Sequence, residues 1–398
     1  MMHRSQSRLT HSFAPRSLAR AATVWLLFAQ VATAWGSFRA YVTTPDGLAI
    51  VDGGRLHTLP LGYSRGVAVS PDGSRVYVGG GSAITAVDAA SETIVGRIRQ
   101  NGAPGPITLS ANGAIGYAVT TIAGSPTPDT SMEETGVSVF DAVALQPMFA
   151  QAVDPLPIDL AATQAGLIVV SAGDVRRYSV GTADLTLEET VTLGCCFGSV
   201  TATLDDRVWA VVGSEFAAGF VAIVSGTAGN RAVEALEFRA TPGKPVLTRD
   251  GQRLFLPLQV STVCDFSTDT EDACADVDEV FTDIVAIDTG SYVSTRVASL
   301  TGAAQEVALT PDEREIFALQ TYPGTVSRIE IASGGVVARI PIGPQAYSLA
   351  IGEHPRSVKG DGCTLMPDRD RSPGAPWLLG ALGAVLMTCG RDRRKRAC

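Results

Sequence analysis

Three observations predict that this chain is all-β and folds as a seven-bladed β-propeller of four-stranded antiparallel blades. A motif recurs about every 40 residues, the spacing of a propeller blade. Each unit reads as four short strands joined by tight turns, and the two ends of the repeat region complete one another. The clearest unit opens Gly66-Val67-Ala68-Val69-Ser70-Pro71-Asp72-Gly73, continues Arg75-Val76-Tyr77-Val78-Gly79-Gly80 and ends Ile84-Thr85-Ala86-Val87-Asp88. Similar openings start at Ile107, Val246 and Val307, with weaker copies at Ile158 and Val200. The anchor residues Ser70, Ser110, Thr163, Thr203, Thr248 and Thr310 lie 40, 53, 40, 45 and 62 positions apart, so the longer intervals mark insertions on a base period.

Residues 38–42, 48–52 and 56–59 read as a second, third and fourth strand with no first. Ala346 to Ile351 (AYSLAI) reads as a first strand with nothing after it. Pairing the two completes blade 1, closes the ring, and removes sheet edges that would otherwise template aggregation. In blades 2 to 7 the first strand is almost all small or branched apolar residues, which suits the crowded axis. A Tyr-Val or Phe-Ala strand follows, a third closes on Val87-Asp88 or Ile287-Asp288, and a more polar fourth (93–98, 336–340) belongs at the rim. The Pro-Asp-Gly and Ala-Asn-Gly signals between first and second strands supply the positive φ that a tight hairpin needs; blades 4 and 5 lack them.

Loops of a four-stranded blade alternate between its two faces. Connections between second and third strands therefore share a face with the links from one blade to the next. The two large insertions, Ala123 to Thr135 in blade 3 and Val260 to Asp283 in blade 6, are both of that kind. They flank the mouth of the central funnel from nearly opposite sides, together with the blade link Gly194-Cys195-Cys196-Phe197. Loops on a rigid scaffold are where binding residues concentrate.

The chain is 398 residues long, 18% charged and 45% hydrophobic, with 41 glycines. That excludes a disordered or collagen-like polymer, and only four histidines argue against a zinc or copper enzyme. Residues 1–34 carry Arg4, Arg8, Arg16 and Arg20, an apolar stretch from Ala22 to Val31, and Ala32-Thr33-Ala34 before Trp35. This is the layout of a secretory signal with an A-x-A cleavage site, its apolar part shorter than the ~20 residues a spanning helix needs. At the other end, Gly362-Cys363 and a polar spacer precede the uncharged Ala375 to Gly390 and the basic Arg391 to Arg396. The expected domains are a signal peptide (1–34), the propeller (35–356), a polar linker (357–374), and an apolar helix with an Arg-rich tail (375–398). Without the two end segments, residues 35–362 hold 20 basic and 37 acidic groups, a formal charge of −17. Phosphate backbones repel such a surface, which disfavours nucleic acid as a partner.

The Tyr77-Val78 strand, the Val87-Asp88-Ala89 turn, Thr93-Ile94-Val95 and the Ser-Pro-Asp-Gly hairpin together resemble the YVTN-type seven-bladed propeller repeat over roughly residues 38–352. The resemblance implies a secreted or periplasmic propeller used as a binding or surface scaffold, with no shared catalytic residues. The order of Cys363, short apolar helix and Arg run resembles the C-terminal sorting signals of myxobacterial surface proteins, which implies processing at Cys363 during surface anchoring. Pro376 and Asp392 make its apolar and basic parts less pure, and a retained single-span anchor is the alternative. Both place the protein outside the cytoplasm, touching membrane only through its tail.

The blade 6 insertion carries eight acids between Cys264 and Asp283 and no Lys or Arg. So many carboxylates must be solvated or neutralised by a cation. Calcium takes six to eight oxygen ligands, and Asp269, Glu271, Asp276 and Asp278 are the candidates; the EF-hand spacing is absent, and a merely solvated loop is the plain alternative. In an oxidising compartment, local pairing gives Cys264–Cys274 at the base of this loop and a vicinal Cys195–Cys196. Gly62-Tyr63-Ser64-Arg65-Gly66 matches G-x-S-x-G formally, but it sits in a blade link, where a strand-to-helix elbow and its His base are missing. His57, on a rim strand, and His354, after the closing strand, are badly placed for the funnel. No catalytic residue is assigned. The reading is a non-catalytic binding or scaffold module for a protein, small-molecule or glycan ligand at the cell surface. A lactonase-like or quinoprotein-like enzyme is the alternative.

Overall fold

The computed structural model describes residues 38–353, apart from 123–133, 154–155, 172, 195–196, 216–217 and 261–279. Its strands form seven antiparallel sheets, one per blade. Blade 1 is the split one. Ser348–Glu353 is its inner strand and pairs with Phe38–Thr44, followed outward by Gly47–Asp52 and Arg55–Pro60. The register runs from Thr43 opposite Ser348 to Phe38 opposite Glu353. The predicted closure is therefore present, with the inner strand starting two residues later than the sequence pattern indicated.

Blades 2 to 5 have inner strands Gly66–Val69, Pro104–Leu109, Pro157–Ala162 and Phe197–Ala202, and blade 7 has Ala303–Leu309. Blade 6 differs: two short pieces, Thr241–Pro242 and Val246–Leu247, both pair with its second strand Arg253–Val260. The apolar residues gather into seven clusters, one between each pair of neighbouring blades. The ring closes on the cluster that packs Leu319 and Val326 of blade 7 against Val42 and Leu349 of blade 1. The second and third strands are buried on both faces, as in Leu167–Ser171. Outer strands such as Arg55–Pro60 are largely exposed. Burying a Leu, Ile or Phe side chain contributes about 1.5–3 kcal/mol, so most of the folding energy lies between blades.

The hairpin joining first and second strands repeats closely. In blades 2, 3, 5, 6 and 7 the residue three after the anchor donates its N–H to the anchor carbonyl at 2.8–3.0 Å. That residue has positive φ in every case: Gly73 (70°), Gly113 (70°), Asp206 (62°), Gly251 (69°) and Glu313 (55°). In blade 2 the anchor hydroxyl of Ser70 donates to Asp72 Oδ1 at 2.6 Å, and the Ser74 N–H reaches the same oxygen at 3.0 Å. These bonds hold the Asp72 carboxyl below the usual range. Blades 5 and 7 thus keep the hairpin backbone without glycine. Asp206 tolerates the left-handed conformation and is held by the Trp209 indole N–H at 2.7 Å and Arg231 Nη2 at 3.1 Å. The Arg231 guanidinium stacks on the Trp209 ring, 3.9 Å from its centroid.

Candidate functional site

The inner strands all begin on one face, and their first residues ring the axis. A funnel of about 450 Å³ opens there, lined by residues of every blade, among them Arg65, Pro106, Asp159, Ser199, Lys244, Glu306 and Ser348. Thr120 pairs with Pro104 and Gln259 with Thr241. The ends of the second strands that lead into the two insertions therefore lie on the funnel face, as the alternation of loops predicts. The insertions themselves lie outside the described residues.

Lys244 reaches the funnel because the inner strand of blade 6 is broken at Gly243-Lys244-Pro245. Pro245 has no N–H for a ladder. Opposite Gly243, the Pro257 carbonyl accepts from the Gly243 N–H at 2.8 Å. N–H and C=O of one strand residue point to the same side, so Pro257 offers no donor to the broken stretch. The chain leaves its own sheet and pairs in parallel with blade 7. Lys244 N–H donates to Gln305 O at 2.6 Å, and Lys244 O accepts from Val307 N–H at 3.2 Å. This approach requires glycine at 243, since a Cβ there would stand 2.4 Å from Gln305 O.

The Lys244 ammonium meets two carboxylates. Nζ lies 3.2 Å from Asp159 Oδ1 and 3.1 Å from Oδ2, and 3.9 Å from Glu306 Oε1. Asp159 is 3% exposed and Glu306 7%, whereas the Lys244 side chain keeps 32% of its surface open to the funnel. Both acids are held by the next blade. Asp159 Oδ2 accepts from Val200 N–H at 3.2 Å and Ser199 Oγ at 3.3 Å. Glu306 Oε2 accepts from Leu349 N–H at 2.8 Å. The constellation thus ties blades 4, 5, 6, 7 and 1 together. Burial disfavours the Lys244 ammonium, but Asp159 and Glu306 outweigh it and raise the amine above the ordinary lysine range. Burial pushes the Glu306 carboxyl up, against the pull of Lys244 and the Leu349 N–H. At the rim, Tyr63 and Tyr347 pack edge to face with centroids 5.3 Å apart, and Arg65 Nε donates to the Tyr63 hydroxyl at 2.6 Å.

Sequence reasoning singled out none of these three charged residues, although a signal exists. Gly66, Pro106, Asp159, Ser199, Lys244 and Glu306 each stand four residues before their blade's anchor. One register position therefore collects Asp159, Lys244 and Glu306 from otherwise apolar strands, while Arg65 stands one residue earlier in the register of blade 2. Of the predicted candidates, Cys195, Cys196, Cys264, Cys274, Asp269, Glu271, Asp276, Asp278, Cys363 and His354 lie outside the described residues. His57 is on the outer strand of blade 1, its Nδ1 2.7 Å from Glu92 Oε2 and far from any inner strand. Ser64 is buried, and its hydroxyl donates to the Gly62 carbonyl at 2.9 Å. It sits in a blade link, as expected, and not on a nucleophile elbow.

No family model matches the chain, and no curated protein matches it significantly. Solved structures do. A functionally unknown protein from Desulfotomaculum acetoxidans superposes with a TM-score of 0.62 at 14% identity, over 79% of this chain and 98% of that one. The periplasmic gluconolactonase PpgL of Pseudomonas aeruginosa gives 0.58 at 15% identity, over 80% and 100%. Hydrazine synthase of Kuenenia stuttgartiensis gives 0.57 at 14% identity, over 73% and 95%. At these identities the likeness is one of fold. The same architecture carries unrelated chemistries, so function must be argued from the site.

Proposed function

We propose that the protein is an extracytoplasmic binding propeller that takes a small polar ligand into its axial funnel. One observation carries the reading: Lys244 is thrust out of its own sheet to the funnel wall and held there by Asp159 and Glu306. Concave sites with a few converging polar groups on a rigid scaffold are the usual form of small-molecule sites. A raised amine is a cation and not a nucleophile, which favours binding over covalent catalysis. Ligand binding to the folded state raises the melting temperature by mass action. A thermal-shift screen of small polar compounds on the full chain should therefore yield ligands that protect the wild type and not a variant carrying Lys244→Met with Asp159→Asn. Equal protection of both would place binding elsewhere.

Glu306 favours a second reading. A carboxyl raised by burial and placed beside a cation is equipped for general base work, and PpgL, which shares the fold, is named a gluconolactonase. Hydrolysis of a sugar lactone that Glu306→Gln abolishes would make the funnel an active site.

The remaining expectations complete the proposal. The signal-like residues 1–34 and the Cys363 tail support surface anchoring, and mass spectrometry of surface protein should find an N-terminus near Trp35 and no peptide beyond Cys363. The acidic insertion of blade 6 supports a calcium site at Asp269, Glu271, Asp276 and Asp278, braced by Cys264–Cys274, with Cys195–Cys196 as the other pairing. Calcium should then raise the melting temperature and magnesium should do so poorly, because magnesium demands tighter octahedral geometry.

A further inference from the structure

We infer that the funnel selects a neutral, polyhydroxylated ligand of sugar size, with one hydroxyl bridging Lys244 Nζ and Glu306 Oε1, and excludes its phosphorylated or carboxylated counterparts. The inference rests on the reading of the funnel as a binding site and names its ligand class. Nζ and Oε1 are 3.9 Å apart, too far for a direct hydrogen bond. The two Asp159 oxygens share one side of the ammonium, and its open flank faces the funnel. An oxygen about 2.8 Å from both Nζ and Oε1 would see them about 90° apart, which a hydroxyl can serve while accepting from the ammonium and donating to the carboxylate.

Other groups fail one half of that exchange. A phosphate or carboxylate oxygen accepts from Lys244 but confronts Glu306, with Asp159 already beside the same ammonium. An ammonium donates to Glu306 but confronts Lys244. Lys244 is thus opposed by two carboxylates, and with Arg65 at the rim the lining holds two cations against two carboxylates, so the site has no positive surplus to attract an anion. Arg65 apart, the polar side chains of the lining agree: Ser199, Gln259, Gln305 and Ser348 are neutral and both donate and accept. The Tyr63–Tyr347 pair at the rim offers ring surface to the apolar face of a sugar. A volume of about 450 Å³ lies within the range of small-molecule clefts.

Isothermal titration of the full chain with matched probes tests this: glucose, sorbitol and maltose against gluconate and glucose 6-phosphate. Neutral probes should bind at least about tenfold tighter than anionic ones, and Glu306→Gln, which removes one opposing charge, should narrow that ratio. The paired Lys244→Met and Asp159→Asn variant, checked for folding by circular dichroism, should lose the neutral probes. Anionic probes that bind as well as neutral ones, or better, would overturn the ligand class and leave the funnel as the site. Failure of every probe to bind the folded wild type would overturn both. Neutral binding that survives the paired variant unchanged would place the sugar outside the funnel and overturn the bridging role.

Discussion

Lys244→Met keeps the apolar stem and removes the ammonium, so it isolates what the charge contributes at the axis. At an effective dielectric of about 20, a charge pair at the 3.1 Å of Nζ and Asp159 Oδ2 attracts by roughly 5 kcal/mol, and one at the 3.9 Å of Glu306 by roughly 4. Desolvation of the ammonium and its partial opening to the funnel offset much of that, leaving a net coupling to Asp159 of about 2 kcal/mol. Stranding a buried charge costs about 3–5 kcal/mol. Asp159 keeps the Val200 N–H and the Ser199 hydroxyl, however, so Lys244→Met should cost about 2–3 kcal/mol. Asp159→Asn should cost about 2 kcal/mol, since the amide retains part of the hydrogen bonding. The double variant should lose only about 2–3 kcal/mol, well short of additivity. Urea unfolding at neutral pH with linear extrapolation reads all four proteins, and unchanged m-values would show that the same unfolding is being compared. Single losses that add to within about 0.5 kcal/mol in the double variant would refute an energetic link between Lys244 and Asp159.

Four further outcomes follow from the structure. The Glu306 carboxyl is raised above its ordinary value of 4.5, so the folded state keeps a proton that the unfolded chain has released; stability should fall as pH rises from about 4.5 through the raised value, and Glu306→Gln should flatten that fall in a pH series of urea melts. The raised Lys244 amine acts at the other end: its contribution is complete below 10.5 and is lost as pH climbs past the folded value. Gly243→Ala would set a Cβ 2.4 Å from Gln305 O and 2.9 Å from Pro257 Cγ, so it should cost about 1–3 kcal/mol of overpacking and weaken any ligand that depends on Lys244; an alanine variant with wild-type stability and binding would show that the crossing strand has room. Deleting 346–352 should lower the melting temperature far more than deleting 123–133, because it unpairs Phe38–Thr44 and uncovers the cluster around Val42; equal losses would mean that the ring does not depend on this closure.

Most of the architecture is written in short-range patterns. Short apolar strands, hairpin residues such as Asp72-Gly73, and a period near 40 each depend on neighbours in the chain, so they can be read from it directly. Even the split blade was legible, because an orphan inner strand at 346–351 and three orphan outer strands after residue 37 have one economical solution. The hairpin of blade 5 was not, since Asp206 stands where blades 2, 3 and 6 have glycine and is held in part by Arg231, 25 residues further on in the outer strand.

The funnel constellation lies further out of reach. Asp159, Lys244 and Glu306 are 85 and 62 residues apart in turn, and each taken alone is a charged residue in a short apolar strand. The repeat register already assigned them one position, four before the anchor, and the prolines at 242, 245 and 257 marked where blade 6 departs from its ladder. Their meeting needed the closed ring. Seven sheets must pack side by side before inner strands from blades 4, 6 and 7 face a common axis, and only then do the ammonium and the two carboxylates come within reach. Local patterning sets which strands form and on which face a residue stands. Which charges share a site is set by closure, because that distance depends on every blade interface at once.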